Sequence, residues 1–332
     1  QVKHDHGGKV PEHLELTIEN YARALEVRDT YADRLAKDGP VIIEFGSMGQ
    51  QSTKQHPLCG ILYQQDKQKA LELYKRAYDQ GSMKGANNFG YLLSVLGTSR
   101  ESTLIALSIL EKSANTGNPV AMINIGNIYE YGQLDGKPDY KKALTWYHRA
   151  ALLGDNTGLF DYANLLHSGK GTRRDRETAL MIFRKLTERG FKAAPFYVGL
   201  YYEKGWVVEK DYQTAMRFYQ LGASTNDPYC YNQLGRMYSL GLGLPRKEET
   251  MGFFYYEQAA KLGDVMGISN MAHAYESGQG VEQDIMKAIE LYQEAAELGE
   301  ENAIKSLERI RAELMVQEDA TKTPVQKSQK EN

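Results

Sequence analysis

Lys142-Ala143-Leu144-Thr145-Trp146-Tyr147 places a small residue three and four positions ahead of an aromatic pair, and the arrangement returns down the chain. The small slot is filled by Ala70, Ala106, Ala143, Ala179, Ala215, Gly252 and Ala288, at steps of 36, 37, 36, 36, 37 and 36 residues. Self-similarity at a fixed period of this length is the mark of a repeat architecture. A second marker runs in phase: Gly90, Gly126, Ala163, Gly199, Gly235 and Ala272 lie 16 or 17 residues upstream of the slot. Three residues after each comes Leu93, Tyr129, Leu166, Tyr202, Tyr238 or Tyr275. A third marker, 11 residues after the slot, is Gly81, Gly117, Gly154, Gly190, Asn226, Gly263 and Gly299. Glycine and asparagine tolerate the left-handed conformation that ends helices, so this marker reads as a helix stop.

Each unit therefore reads as two helices joined by a turn. The first helix carries the upstream small residue and the Leu or Tyr, spaced to share one helical face. The turn holds Gly-x-Gly, as in Gly169-Lys170-Gly171, Gly241-Leu242-Gly243 and Gly278-Gln279-Gly280. The second helix carries the alanine slot, the aromatic pair and pairs such as Ala150-Ala151, Ala259-Ala260 and Ala295-Ala296. Small residues let helix backbones approach, and aromatics fill the space between them. Asn118-Pro119 and Asp227-Pro228 place a capping side chain before a first-turn proline.

The pattern A-x3-L-G-x2-Y-x2-G-x-G-V-x2-D-x2-K-A-x2-W-Y-x2-A-A-x2-G resembles the Sel1-like repeat. The last unit matches it through Tyr275, Gly278-Gln279-Gly280-Val281, Asp284, Lys287-Ala288, Tyr292, Ala295-Ala296 and Gly299, and departs from it at Gly267 for the first Ala, Met271-Ala272 for Leu-Gly and Leu291 for Trp. The resemblance implies an all-α, right-handed superhelical solenoid of about seven helix-pair repeats, related to tetratricopeptide repeats, with N- and C-terminal capping helices. On that reading residues 1–65 hold a capping helix and a degenerate first repeat, 66–300 the solenoid, 301–316 a C-terminal cap and 317–332 a disordered polar tail. Leu14, Ile18, Tyr21 and Leu25 have amphipathic helical spacing in the first segment, and Ile304, Leu307, Ile310 and Leu314 are expected to face inward in the cap. Caps are needed because terminal repeats otherwise expose their cores.

Composition narrows the function. With 40 basic against 43 acidic side chains there is no basic excess of the sort nucleic acid requires. The longest apolar runs fall far short of a membrane span. Tyrosine dominates the aromatics, 23 against 9 Phe and 2 Trp, and suits thin cores whose edges meet water. Cys59 and Cys230 sit about five repeats apart, too far for a disulfide, and read as separate small hydrophobes. A chain starting at Gln1 without an initiator methionine tips the expected location toward export or the periplasm over the cytoplasm.

No chemical motif survives inspection. Ser168-Gly169-Lys170-Gly171-Thr172 lacks the spacing of a phosphate loop and falls on the ordinary turn. His4-Asp5-His6 has no third spaced ligand, and Asp135 to Asp139 lacks the oxygen set of a calcium loop. We expect no metal, no cofactor and no enzymatic activity. A feature present in every repeat holds the fold, so specificity belongs to what varies. In the helix-pair architecture that the resemblance implies, the first helix lines the inner groove, and its groove-facing positions are three before, one after and four after the small marker. These are Asn87, Tyr91 and Ser94; Ile123, Asn127 and Glu130; Phe160, Asn164 and His167; Phe196, Leu200 and Glu203; Asn232, Arg236 and Ser239; Ser269, His273 and Glu276. Asn87, Asn127, Asn164 and Asn232 are expected to form an amide ladder for a peptide backbone, with Ile123, Phe160, Phe196 and Leu200 as its apolar centre. The resemblance implies a scaffold or adaptor that binds a protein. The alternative is a periplasmic immunity protein that neutralises a secreted toxic effector such as a phospholipase.

Overall fold

The computed structural model describes residues 57–322, and the side chains of 67–313. Residues 1–56 of the region read as an N-terminal cap and degenerate repeat, His4 and His6 among them, lie outside the described residues, as does the side chain of Cys59. All described regular structure is helical. The helices are α1 (Pro57–Asp79), α2 (Met83–Leu96), α3 (Arg100–Asn115), α4 (Pro119–Glu130), α5 (Tyr140–Leu152), α6 (Asn156–Ser168) and α7 (Arg176–Glu188). They continue as α8 (Ala194–Lys204), α9 (Tyr212–Ala223), α10 (Pro228–Leu240), α11 (Glu249–Lys261), α12 (Val265–Ser277), α13 (Ile285–Glu297) and α14 (Glu301–Lys322). Even-numbered helices through α12 are the first helices of repeats; odd-numbered ones are second helices. The described residues divide into two compact units, 57–175 and 176–322.

Within the first unit each of α2 to α6 packs on its neighbours in sequence, and the same holds for α7 to α14 in the second. The in-phase alanines explain the tight fit. Ala106, Ala143, Ala179, Ala215 and Ala288 are all 0% exposed. The upstream marker meets the second residue of the aromatic pair face to face. A Cβ on Gly126, Gly199 or Gly235 would fall 2.4, 2.6 or 2.5 Å from the ring of Tyr147, Tyr219 or Tyr256. Glycine there lets a ring lie flat on the helix backbone, and burying each such ring is worth on the order of 2–3 kcal/mol.

Successive repeats join through a second small pair. Ala77, Ala150 and Ala259 on second helices press on Gly85, Gly158 and Gly267 of the next first helix, where a Cβ would come within 2.7, 2.6 and 2.7 Å. At the α9–α10 junction the pair is reversed: Gly222 supplies the gap and Cys230 fills it, its Sγ too close for any Cβ on Gly222. Cys230 is fully buried, and that burial, with Asp227 alongside, pushes its thiol well above the ordinary range.

The helix stops sit where the spacing places them. Gly81, Gly117, Gly154, Gly190, Gly263 and Gly299 have positive φ, and so has Asn226, at 59°. Starts are capped by side chains. Asn118 accepts from the amides of Val120 and Ala121, Asp227 from Cys230, and Asp139, Asp211 and Asp284 do the same for α5, α9 and α13. In the turn after α8 the second glycine of Gly-x-Gly is replaced by Val207, held at φ 67°. At the matching place Gly171 and Gly280 press on the backbone of Tyr140 and Glu249, the first turn of the preceding second helix.

Three details differ from the sequence reading. Helix α1 starts at Pro57 rather than near residue 66, and α14 runs on to Lys322, past Val316. In α14 it is Ala303, with Leu307 and Ile310, that faces the core; Ile304 is 40% exposed. No helix among the described residues is long and apolar enough to cross a membrane.

Candidate functional site

The first helices present three rows, and the structure treats them differently. The row three before the marker is interior rather than groove-lining. Asn87, Ile123, Phe160, Asn232 and Ser269 are buried, and Phe196 is half-buried among Tyr197, Tyr219 and Tyr229. The physical reason is that a first helix touches not only its own partner but the first helix of the next repeat. Asn87 Oδ1 accepts from Asn124 at 3.1 Å, and Asn232 Oδ1 from Asn270 at 2.8 Å. Ser269 donates to the buried carboxylate of Glu300 at 2.9 Å. Two amides of the expected ladder are thus spent on joining repeats, and two of its apolar centre, Ile123 and Phe160, belong to the core.

The row one after the marker reaches solvent. Tyr91 and His273 are exposed; Asn127, Asn164, Leu200 and Arg236 are half-buried. The third row, four after the marker, alternates. Glu130, Glu203 and Glu276 accept a hydrogen bond from a core tyrosine of their own repeat: Tyr147 at 2.7 Å, Tyr219 at 2.9 Å and Tyr292 at 2.8 Å. Tyr147 Oη also lies 2.7 Å from Asn127 Oδ1, so its one proton is shared between the two acceptors. Ser94 and Ser239, buried and half-buried, and His167, half-buried, occupy the repeats between. Burial holds all three phenols protonated, so each is a fixed donor.

Two of these glutamates are neutralised by an arginine of the next helix in the row. Glu203, only 3% exposed, pairs with Arg236 at 2.6 Å and Lys204 at 2.8 Å. Burial would raise its pKa, but the Lys204 hydrogen bond and the Arg236 charge hold it below the ordinary value. Glu276 pairs with Arg309, and despite burial that bond and the one from Tyr292 keep it low as well. Among the described residues Glu130 has no such partner. The position matching Arg236 is Asn164, whose Oδ1 is buried without a hydrogen-bond partner. One turn earlier on α6, Asp161 is pushed up to about 7 by burial, with Glu130 and Asp155 adding their negative charge. Spacing did not single out Asp161, nor Tyr131 beside it. The signal was there: Glu130 is followed 34 residues later by Asn164 where Glu203 is followed, 33 later, by Arg236.

Other chemistry is sparse. Among the described residues no group of three or more His, Cys, Asp or Glu side chains is gathered to hold a metal. Two open hollows of about 550 and 530 Å³ flank the turn after α8, lined by Tyr202, Val208 and Lys210 and by Met181, Arg184 and Val207 respectively.

A family model, the Sel1 repeat, matches residues 57–82, 119–155, 157–191, 193–227, 228–264 and 265–300. The chain belongs to the Sel1 repeat family. The α2–α3 hairpin lies outside those matches yet keeps the Sel1 pattern through Gly90 and Ala106. An uncharacterized protein of Neisseria meningitidis serogroup B is 24% identical over 274 residues, 73% of this chain and 56% of that protein. A protective antigen of uropathogenic Escherichia coli with an SLR fold superposes with a TM-score of 0.57 at 30% identity, over 72% of this chain and 51% of that one. A Sel1 repeat protein from Oxalobacter formigenes superposes with 0.59 at 24% identity, over 68% of this chain and 99% of that one. This chain thus spans about half the length of the Neisseria and Escherichia proteins. Sel1 repeats typically mediate contacts between proteins.

Proposed function

We propose that this Sel1 repeat protein is a docking platform that binds a protein partner on the exposed row of its first helices. The observation that carries the reading is the contrast between two rows that run through the same repeats. The alanine slot changes only once, to Gly252, and is closed to solvent wherever it is alanine in α3, α5, α7, α9 and α13. The row after the marker reads Tyr91, Asn127, Asn164, Leu200, Arg236 and His273, a change of chemistry at almost every step, and all six reach solvent. A constant interior with a variable accessible face is what repeat proteins use for binding. The third row, where Glu130, His167 and Glu276 are half-buried, flanks it.

The face is tested with two substitution sets on the full chain. Tyr91→Ser, Leu200→Ser and His273→Ser alter the first-helix row. Leu152→Ser, Met181→Ser and Met286→Ser alter second-helix side chains that are 72%, 64% and 70% exposed. Affinity capture from the source cells, read by mass spectrometry, should lose its specific protein with the first set and keep it with the second, both folding as the parent does. The reverse pattern would move the binding surface to the second helices. Recovery of a secreted toxic enzyme inhibited by this chain would narrow the role to immunity.

A further inference from the structure

The alternation along the third row supplies an internal comparison. In α8 and α12 a glutamate holds a core tyrosine on one side and an arginine of a later helix on the other, as Tyr219–Glu203–Arg236 and Tyr292–Glu276–Arg309. In α4 the tyrosine half is intact, as Tyr147–Glu130, and the cation is missing. Its place in the register belongs to Asn164, which presents a buried oxygen with nothing to accept from. A second acid, Asp161, stands within Coulombic range of Glu130, and neither carboxyl forms an ion pair among the described residues. Tyr131, 56% exposed, lies close enough to both acids to feel their charge.

We infer that Glu130, Asp161 and Asn164 form a receptor for one guanidinium group of a protein partner, taking in the first unit the place that Arg236 and Arg309 fill in the second. The inference rests on the docking reading above and specifies part of it: an arginine side chain enters here. The geometry favours a guanidinium because its planar fork serves two acceptors at once and its spare N–H groups can satisfy a third oxygen. Tyr131 adds an aromatic face against which a guanidinium stacks. Desolvated acids without a counter-charge are costly to keep, and an incoming cation relieves that cost. The raised pKa of Asp161 is what such an uncompensated carboxyl should show. Among the described residues, the groups within Coulombic range of it include Glu130, Tyr131, Tyr147 and Asp155, all of them acidic or neutral.

The test uses N-acetyl-arginine amide as the probe and N-acetyl-citrulline amide as its uncharged isostere, titrated into the full chain at fixed ionic strength. Backbone amide resonances of 127–131 and 161–167 report the site. Arginine should give a saturable shift confined to these residues, at least roughly ten-fold tighter than citrulline. Asn164→Arg, which supplies the missing cation from within, should abolish the response and melt no lower than the parent. Asp161→Asn should weaken the response by about ten-fold or more and provides the reading if Asn164→Arg fails to fold. Equal responses to the two probes, shifts spread over the surface, or an undiminished response in the folded variants would overturn the inference. If partner capture still depends on the first-helix row while the arginine probe is ignored, the cation receptor alone falls. If the probe binds but first-helix substitutions leave capture unchanged, the docking face falls instead.

Discussion

Replacing Asp161 by Asn should stabilise the protein at pH 8 and leave it nearly unchanged at pH 4. The carboxyl is held at about 7 against an ordinary 3.8, with burial as the first cause and Glu130 and Asp155 as the second. A group whose pKa is higher folded than unfolded favours the folded state most below its unfolded value. That contribution is lost as pH climbs through the folded value. The wild-type chain therefore loses stability from this site between about pH 4 and pH 7. The gap between the two values corresponds to roughly 4 kcal/mol at most. Side-chain relaxation and water reaching a half-buried carboxyl reduce this to about 2 kcal/mol. Asparagine keeps the shape and removes the charge, so it should recover that amount above pH 7. Urea unfolding at pH 4, 6 and 8 would measure it, and amide exchange in α4 and α6 would localise it to the first unit. Asp264, raised to about 6 by burial, leaves a residual slope of the same sign in the variant. An equal effect at pH 4 and pH 8, or a loss of stability at pH 8, would refute the reasoning, since either would mean that the carboxylate is already well solvated or paired.

Gly126→Ala should destabilise by about 2 kcal/mol: its Cβ would lie 2.4 Å from the Tyr147 ring, which is fully buried, and the clash outweighs the gain in helix propensity. Thermal unfolding that rises instead would show that the ring can move aside. Val207→Gly should stabilise by roughly 1 kcal/mol, because a β-branched residue at φ 67° carries backbone strain that exceeds the chain entropy glycine adds; a lower denaturation midpoint would count against stored strain there. Gly222→Ala should clash with Cys230 Sγ and Cys230→Gly should leave a hole, each costing about 1–3 kcal/mol. Together they recreate the Ala150–Gly158 arrangement, so the double variant should recover most of the loss, and simple additivity in a double-mutant cycle would contradict the interlock.

The repeat was legible because each unit buries the same small residues against the same rings, so Ala143 and Ala215 announce themselves at fixed intervals. The stops were legible for a similar reason: the left-handed backbone restricts the choice to glycine and asparagine, and Asn226 obeys. The face was less so. Single-helix spacing says which residues share a side of α2 or α10, but it cannot say that the side is shared with a neighbouring first helix. Asn87 and Asn232 read as available amides until Asn124 and Asn270, one repeat on, are placed against them. Comparing adjacent repeats position by position would have shown the pairing, since asparagine recurs at both ends of each contact. The same comparison would have exposed the absent cation opposite Glu130.

A repeat chain tests each of its own positions several times, and the exceptions are where binding chemistry can enter. Where Glu203 and Glu276 find an internal arginine, the buried charge is neutralised and the position serves only the fold. At Glu130 the same tyrosine bond is kept, so the helix packing is not what differs; what differs is that Asn164 and Asp161 leave negative charge and an unused oxygen where a guanidinium belongs. Random drift at this site has a cheap remedy, a single change of Asn164 to a basic residue. The first unit carries a second acid there instead. An uncompensated pair of acids lowers stability at neutral pH unless something outside the chain supplies the cation, and a partner that does so gains affinity from the charge the fold leaves unpaired.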